Sequence, residues 1–179
     1  MEQAATHKWY ANPWRIAGWS AAAGLLLVPL VAMQFTDEVD WTMGDFIAAA
    51  LLIGGPGLAF EAIAYRTGNA AYRTGAALAL LVSFLLIWVN LAVGIIGSED
   101  NEINLMFAGV LAVAAGGACS ARLRARGMAR TMIATALAQA ATGIVAWIYD
   151  PRVTVFIGIL TGMWLIAATL FDRAATRGR

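Results

Sequence analysis

Residues 44–68 read GDFIAAALLIGGPGLAFEAIAYRTG. From Asp45 to Tyr65 this run is long enough for one helical crossing of a bilayer, which needs about 20 apolar residues. Two features interrupt it. Gly54-Gly55-Pro56-Gly57 begins about ten residues in, roughly 15 Å from Asp45 along a helix and so near mid-membrane. Glu61 follows about 24 Å from Asp45, in the last third of the crossing. It is the one acidic side chain inside a hydrophobic run.

The rest of the chain has the same character. Of its 179 residues, 61% are hydrophobic and 13% charged, whereas soluble domains carry about 25% charged residues. So much apolar surface has no soluble interior large enough to hold it, and lipid is its natural solvent. Apolar runs cover about 14–35, 45–65, 74–96, 103–121, 128–149 and 153–171. The expected fold is all-α: a single transmembrane domain over residues 1–179, built as a bundle of six transmembrane helices, with helix 2 kinked or broken at Gly54-Gly55-Pro56-Gly57. The first run follows Lys8 and Arg15, as in a signal peptide. It has full spanning length and no small-residue cleavage site after it, so it reads as a retained helix. Pro29 should kink that helix. Residues 1–13, with Trp9 and Tyr10 close to Trp14, read as an interfacial segment, because amphipathic rings favour the headgroup layer.

Charge orients the helices. Of the 12 cationic residues, Lys8, Arg15, Arg66, Arg73, Arg122, Arg124, Arg126, Arg130, Arg173, Arg177 and Arg179 fall on one side of a six-helix arrangement, and Arg152 on the other. Short basic loops stay in the cytoplasm, so both termini are expected there. The acidic loops around Asp37, Glu38, Asp40, Asp45, Glu99, Asp100, Glu102 and Asp150 then face the periplasm or exterior. Oxygen-rich loops suit hard cations, but these lack EF-hand spacing, and solvated loops are the preferred reading. Arginine outnumbers lysine eleven to one, and alanine and glycine are abundant. This points to a GC-rich bacterial genome and hence to the inner membrane.

Several chemistries lack their parts. One histidine, His7, and one cysteine, Cys119, give no bis-histidine haem, intramembrane triad, disulfide or metal cluster. No Walker loop, HExxH, GxSxG, CxxC or dinucleotide fingerprint occurs. No catalytic residue, cofactor or metal is expected. The basic stretch from Arg122 to Arg130 is too short for nucleic acid and suits anionic lipid headgroups.

The remaining candidates are polar or small residues in lipid. The helix 2 break would free carbonyls as transporters do, or let a neighbour helix approach; the second reading is preferred. Glu61 would be a proton-accepting carboxylate or, as preferred, an ion pair with Arg66 or Arg73, since a carboxylate at depth needs a partner. Asn90, beside Trp88 in helix 3, would contact a substrate or bond Thr135, Gln139 or Thr142 across helices; the bond is preferred. Trp88 and Trp164 read as packing residues, as does Cys119. Alanines in helix 5 and the Gly158/Gly162 pair in helix 6 allow close helix packing, more often internal than between copies. Tyr-Arg-Thr-Gly recurs at Tyr65 and Tyr72 and receives no function.

The functional expectation is a small, non-enzymatic accessory, assembly or interaction subunit, whose partners are the lipid bilayer and another membrane protein or a second copy. The alternative is a small ion or solute transporter or channel using the helix 2 break, Glu61 and Asn90.

Overall fold

The computed structural model describes residues 13–177. The expected interfacial segment, apart from Pro13, lies outside the described residues, as do Lys8 and Arg179 and the side chains of Trp14 and Arg177. Among the described residues, all regular structure is helical: α1 (Pro13–Ala32), α2 (Met43–Arg66), α3 (Ala70–Ala92), α4 (Met106–Ser120), α5 (Ala125–Tyr149) and α6 (Val153–Arg177), with a 3₁₀ turn at Glu102–Leu105 leading into α4. Counting that turn with α4, all six helices are long and apolar enough to cross a membrane. This is the make-up of a multi-pass membrane protein.

The boundaries depart from expectation for physical reasons. α3 stops at Ala92 rather than 96 because the chain turns at Gly94 and Gly97, whose φ angles are +71° and +73°. A Cβ at Gly94 would lie 2.7 Å from the backbone nitrogen of Glu99. α6 continues to Arg177, so the expected basic tail after 171 is helical. The expected break in α2 is absent: it is one helix of 24 residues with Pro56 inside it. Proline removes one backbone bond. Lipid penalises every other unpaired backbone group, and a continued helix satisfies them.

The chain divides into two compact units, Met1–Gly55 and Pro56–Arg179. In the first, Thr42 and Asp45 form a capping box at the start of α2. The Asp45 carboxylate accepts from the Thr42 amide (2.8 Å) and hydroxyl (2.7 Å), while the Asp45 amide donates to Thr42 Oγ1 (3.4 Å). Trp41 and Phe46 meet edge to face at 5.3 Å, the hydrophobic staple that fixes the chain's entry into a helix. Only Pro29 and Ala49 are buried among this unit's described residues.

The second unit holds the core. α5 packs against α4 on one side and α6 on the other, and α6 also packs against α3. α6 contributes Ile157, Leu160, Trp164, Ala167, Ala168, Phe171 and Ala174, all buried. Their three-and-four spacing is the seam of shallow left-handed helix packing. Close approach is made by glycines. A Cβ at Gly75 of α3 would lie 3.2 Å from Leu170 Cβ, and one at Gly143 of α5 would lie 3.3 Å from Ile157. At Gly117 of α4 it would lie 2.8 Å from the Thr131 hydroxyl. Gly158 and Gly162, by contrast, have no atom within 4 Å of a built Cβ, so that pair makes no tight internal contact.

Gly117→Ala should therefore overpack the α4–α5 contact, at a cost of about 1–3 kcal/mol, and lower the unfolding temperature in detergent. Gly158→Ala should leave it unchanged or raise it slightly, since alanine favours the helix.

Candidate functional site

The expected polar positions do not converge. Asn90 lies twenty residues into α3, whereas Glu61 lies five residues before the end of α2. Counted from the α2–α3 turn, Asn90 lies roughly 30 Å along α3 and Glu61 roughly 8 Å along α2. Gln139 lies ten residues before the end of α5, at an intermediate depth.

Asn90 is half-buried and donates to the carbonyl of Asn104 at 3.5 Å, while its own Oδ1 has no partner. The expected bond to α5 is not made. Thr135 and Thr142 instead donate to carbonyls of their own helix, Thr131 at 2.9 Å and Gln139 at 2.7 Å. Threonine hydroxyls readily bond back in this way.

Asn104, absent from the residues expected to matter, organises that end of the bundle. Its side chain accepts from the Ile96 amide (2.9 Å) and donates to the carbonyls of Ile96 (3.2 Å) and Ser98 (2.8 Å). Asn101 adds a bond to Ile96 O at 3.1 Å and caps the 3₁₀ turn through Ile103 N. The acidic loop is thus a clasp built by amides. Its sequence signal is the N-E-I-N spacing, in which two asparagines bracket the turn.

Glu61 is half-buried and is not without a partner. The arginines expected near it are Arg66 and Arg73. Arg73 donates to the carbonyls of Ala64 (2.5 Å) and Thr67 (2.7 Å), closing the end of α2 where a cation also complements the helix dipole. Arg66 lines a cleft. Cys119 is exposed rather than packed. Trp164 is a core residue at 0% exposure, whereas Trp88 is 45% exposed and stacks on Phe84 at 5.8 Å.

Gln139 is the most unusual of these residues. It is fully buried, and neither its Nε2 nor its Oε1 has a partner. Trp164 lies eleven residues into α6, at the same depth of the α5–α6 hairpin, and its Nε1 is also unpartnered. Two orphaned polar groups thus share the middle of the bundle.

The cleft that Arg66 lines also takes in Arg122, the first residue of the basic stretch expected to suit anionic lipid headgroups. It is open to its surroundings, has a volume of about 370 Å³, and is lined by Ile63, Arg66, Thr67, Asn69, Tyr72, Arg122, Leu123, Ala125 and Ala174. Tyr72 builds it. Its ring meets Phe171 edge to face at 4.9 Å, and its hydroxyl donates to the carbonyl of Leu123. That bond holds the α4–α5 loop, where Arg122 and Leu123 have φ of 48° and 55°. Two successive non-glycine residues in this region are strained. Asn69 caps α3 by accepting from Tyr72 N at 3.1 Å and donates to Ala174 O at 3.5 Å.

Among the described residues, no three of histidine, cysteine, aspartate and glutamate come together in a way that would hold a metal ion. Comparison with family models, curated proteins and solved structures finds no match to this chain.

An unsatisfied buried amide costs about 1–3 kcal/mol. Gln139→Met, which keeps the volume and removes the polar atoms, should raise the unfolding temperature of the isolated protein. A fall would mean that the amide bonds a group from outside the chain, such as water, lipid or another protein.

Proposed function

We propose that this chain is a non-enzymatic accessory or assembly subunit of the bacterial inner membrane, working by association with another membrane protein or a second copy. Its arginine-bearing end and both termini face the cytoplasm, following the charge asymmetry of the loops. The observation that carries this reading is the contrast in burial between the two units. The second unit seals Thr135, Gln139 and Trp164 inside its core. In the first, only Pro29 and Ala49 of the described residues are buried. A unit with so little burial of its own depends on what surrounds it, and association is the reading that this supports.

The features that would favour transport point the same way. α2 continues through Pro56, Asn90 is engaged with Asn104, and the described cleft is lined by neither Glu61 nor Asn90. One observation favours the alternative of a small transporter or channel. Pro56 lies inside α2 between Gly55 and Gly57, and a proline between glycines gives a helix a place to bend. That bend would be the moving part.

The experiment is to tag the C-terminus, extract the protein gently from its native membrane, and measure both the co-purifying proteins and the mass of the intact particle. A stoichiometric companion or a defined homo-oligomer is expected. A lone monomer would overturn the association reading. Flux into liposomes, lost in Glu61→Gln or Asn90→Ala, would then establish transport.

A further inference from the structure

The cleft at the arginine-bearing end has a chemistry of its own. We infer that it binds the phosphate group of a phosphate ester through Arg66 and Arg122, with the headgroup of an anionic phospholipid as the natural source. This role is independent of whether the chain is a subunit or a transporter.

Two guanidinium groups define the cleft's character. Both line it. Neither has a hydrogen bond or an acidic partner among the described residues. Arg73, the third arginine near this turn, is engaged by two backbone carbonyls, so the cleft arginines differ from one that closes a helix end. Among the described residues, no carboxylate lines the cleft. A guanidinium presents a planar fork of donors that matches phosphate oxygens two at a time. Thr67 and Asn69 supply further donors. The Thr67 hydroxyl accepts from Asn69 N at 3.2 Å, which leaves its own hydrogen to donate. Asn69 uses one amide hydrogen on Ala174 O and keeps the other.

The cleft's position selects the source of the phosphate. The cleft lies where α2, α4 and α6 end and α3 and α5 begin, which in a spanning bundle is the depth of the headgroups rather than of the acyl chains. Its other walls are apolar, with Ile63, Ala125 and Ala174. Donors and apolar side chains in one cleft suit a molecule with a phosphate at one end and hydrocarbon at the other. Its volume falls within the range of small-molecule sites, about 300–1,000 Å³.

The α4–α5 loop bears on the same site independently. Arg122 has a φ of 48°, a conformation that glycine adopts without penalty. Arginine stands there instead, and Tyr72 fixes the adjoining carbonyl. The loop thus keeps a strained residue whose side chain lines the cleft.

The test uses the full chain in detergent, with bound lipid counted by native mass spectrometry. The probes are phosphatidylglycerol, phosphatidylcholine and soluble glycerol 3-phosphate. One phosphatidylglycerol per chain should be retained in preference to phosphatidylcholine. Arg66→Gln and Arg122→Gln should each weaken retention about tenfold, the scale of one charge-assisted hydrogen bond. Arg126→Gln, an exposed arginine of the same end that does not line the cleft, should change it less than about twofold. Arg122→Gly guards against a folding artefact: it relaxes the backbone, so it should keep or raise the unfolding temperature while weakening retention. Competition by glycerol 3-phosphate would keep the site and make a soluble phosphate ester its source. Equal effects of the cleft and Arg126 variants, or no preference for phosphatidylglycerol, would overturn the proposal.

Discussion

Apolar side chains gain nothing from leaving lipid for one another, so helices in a membrane are held by close packing and by polar bonds between them. Most of the second unit depends on how α5 meets that constraint. Seven of its ten buried positions are small, Ala129, Thr131, Thr135, Ala136, Thr142, Gly143 and Ala146, and the other three are Met128, Met132 and Gln139. A helix this narrow can be approached from two sides at once, and α4 and α6 do so. The largest residues come from the neighbours, Phe107 of α4 and Trp164 and Phe171 of α6, while α5 adds Met132 and Gln139. Bulk set against the small positions of the central helix makes the interior dense.

The ends of the helices are held differently. Each turn relies on a few polar side chains placed where backbone groups lose their helical partners. Thr42 and Asp45 start α2, and Arg73 ends it. Asn69 starts α3. Asn101 and Asn104 fasten the α3–α4 turn, and Tyr72 fastens the α4–α5 loop from a distance in sequence of 51 residues. Asp150 begins the last turn through Arg152 N. Sites with a chemical character arise where such fastening leaves donors over, as at Arg66 and Arg122.

The number, class and approximate limits of the helices are legible in the sequence because spanning length and hydropathy are set by the bilayer itself. The capping box at Thr42 and Asp45 is legible in principle, as T-x-x-D before an apolar run, but Asp45 stands among loop acids and reads as one of them. Other features are hidden for a physical reason. Gly158 and Gly162 have the spacing of a packing motif, but spacing does not tell which face of α6 meets α5. Glycines that do make close contacts between helices, Gly75, Gly117 and Gly143, carry no GxxxG spacing. Asn90 reads correctly as a residue in need of a partner, and the polar side chains of neighbouring helices are the obvious candidates. Its partner is instead the backbone carbonyl of Asn104, in the 3₁₀ turn that leads into α4. A carbonyl leaves no mark on a hydropathy profile.

The near absence of burial in the first unit has an evolutionary consequence. A substitution in α1 meets almost no packed interior within its own unit, so selection on its sequence comes from whatever surrounds the helix. α5 is in the opposite position: nearly every change on its narrow faces is judged by two neighbours at once. Across descendants of this protein, α1 should drift with the composition of the membrane while α5 stays still, and any part of α1 that resists drift will mark a surface held by something other than lipid.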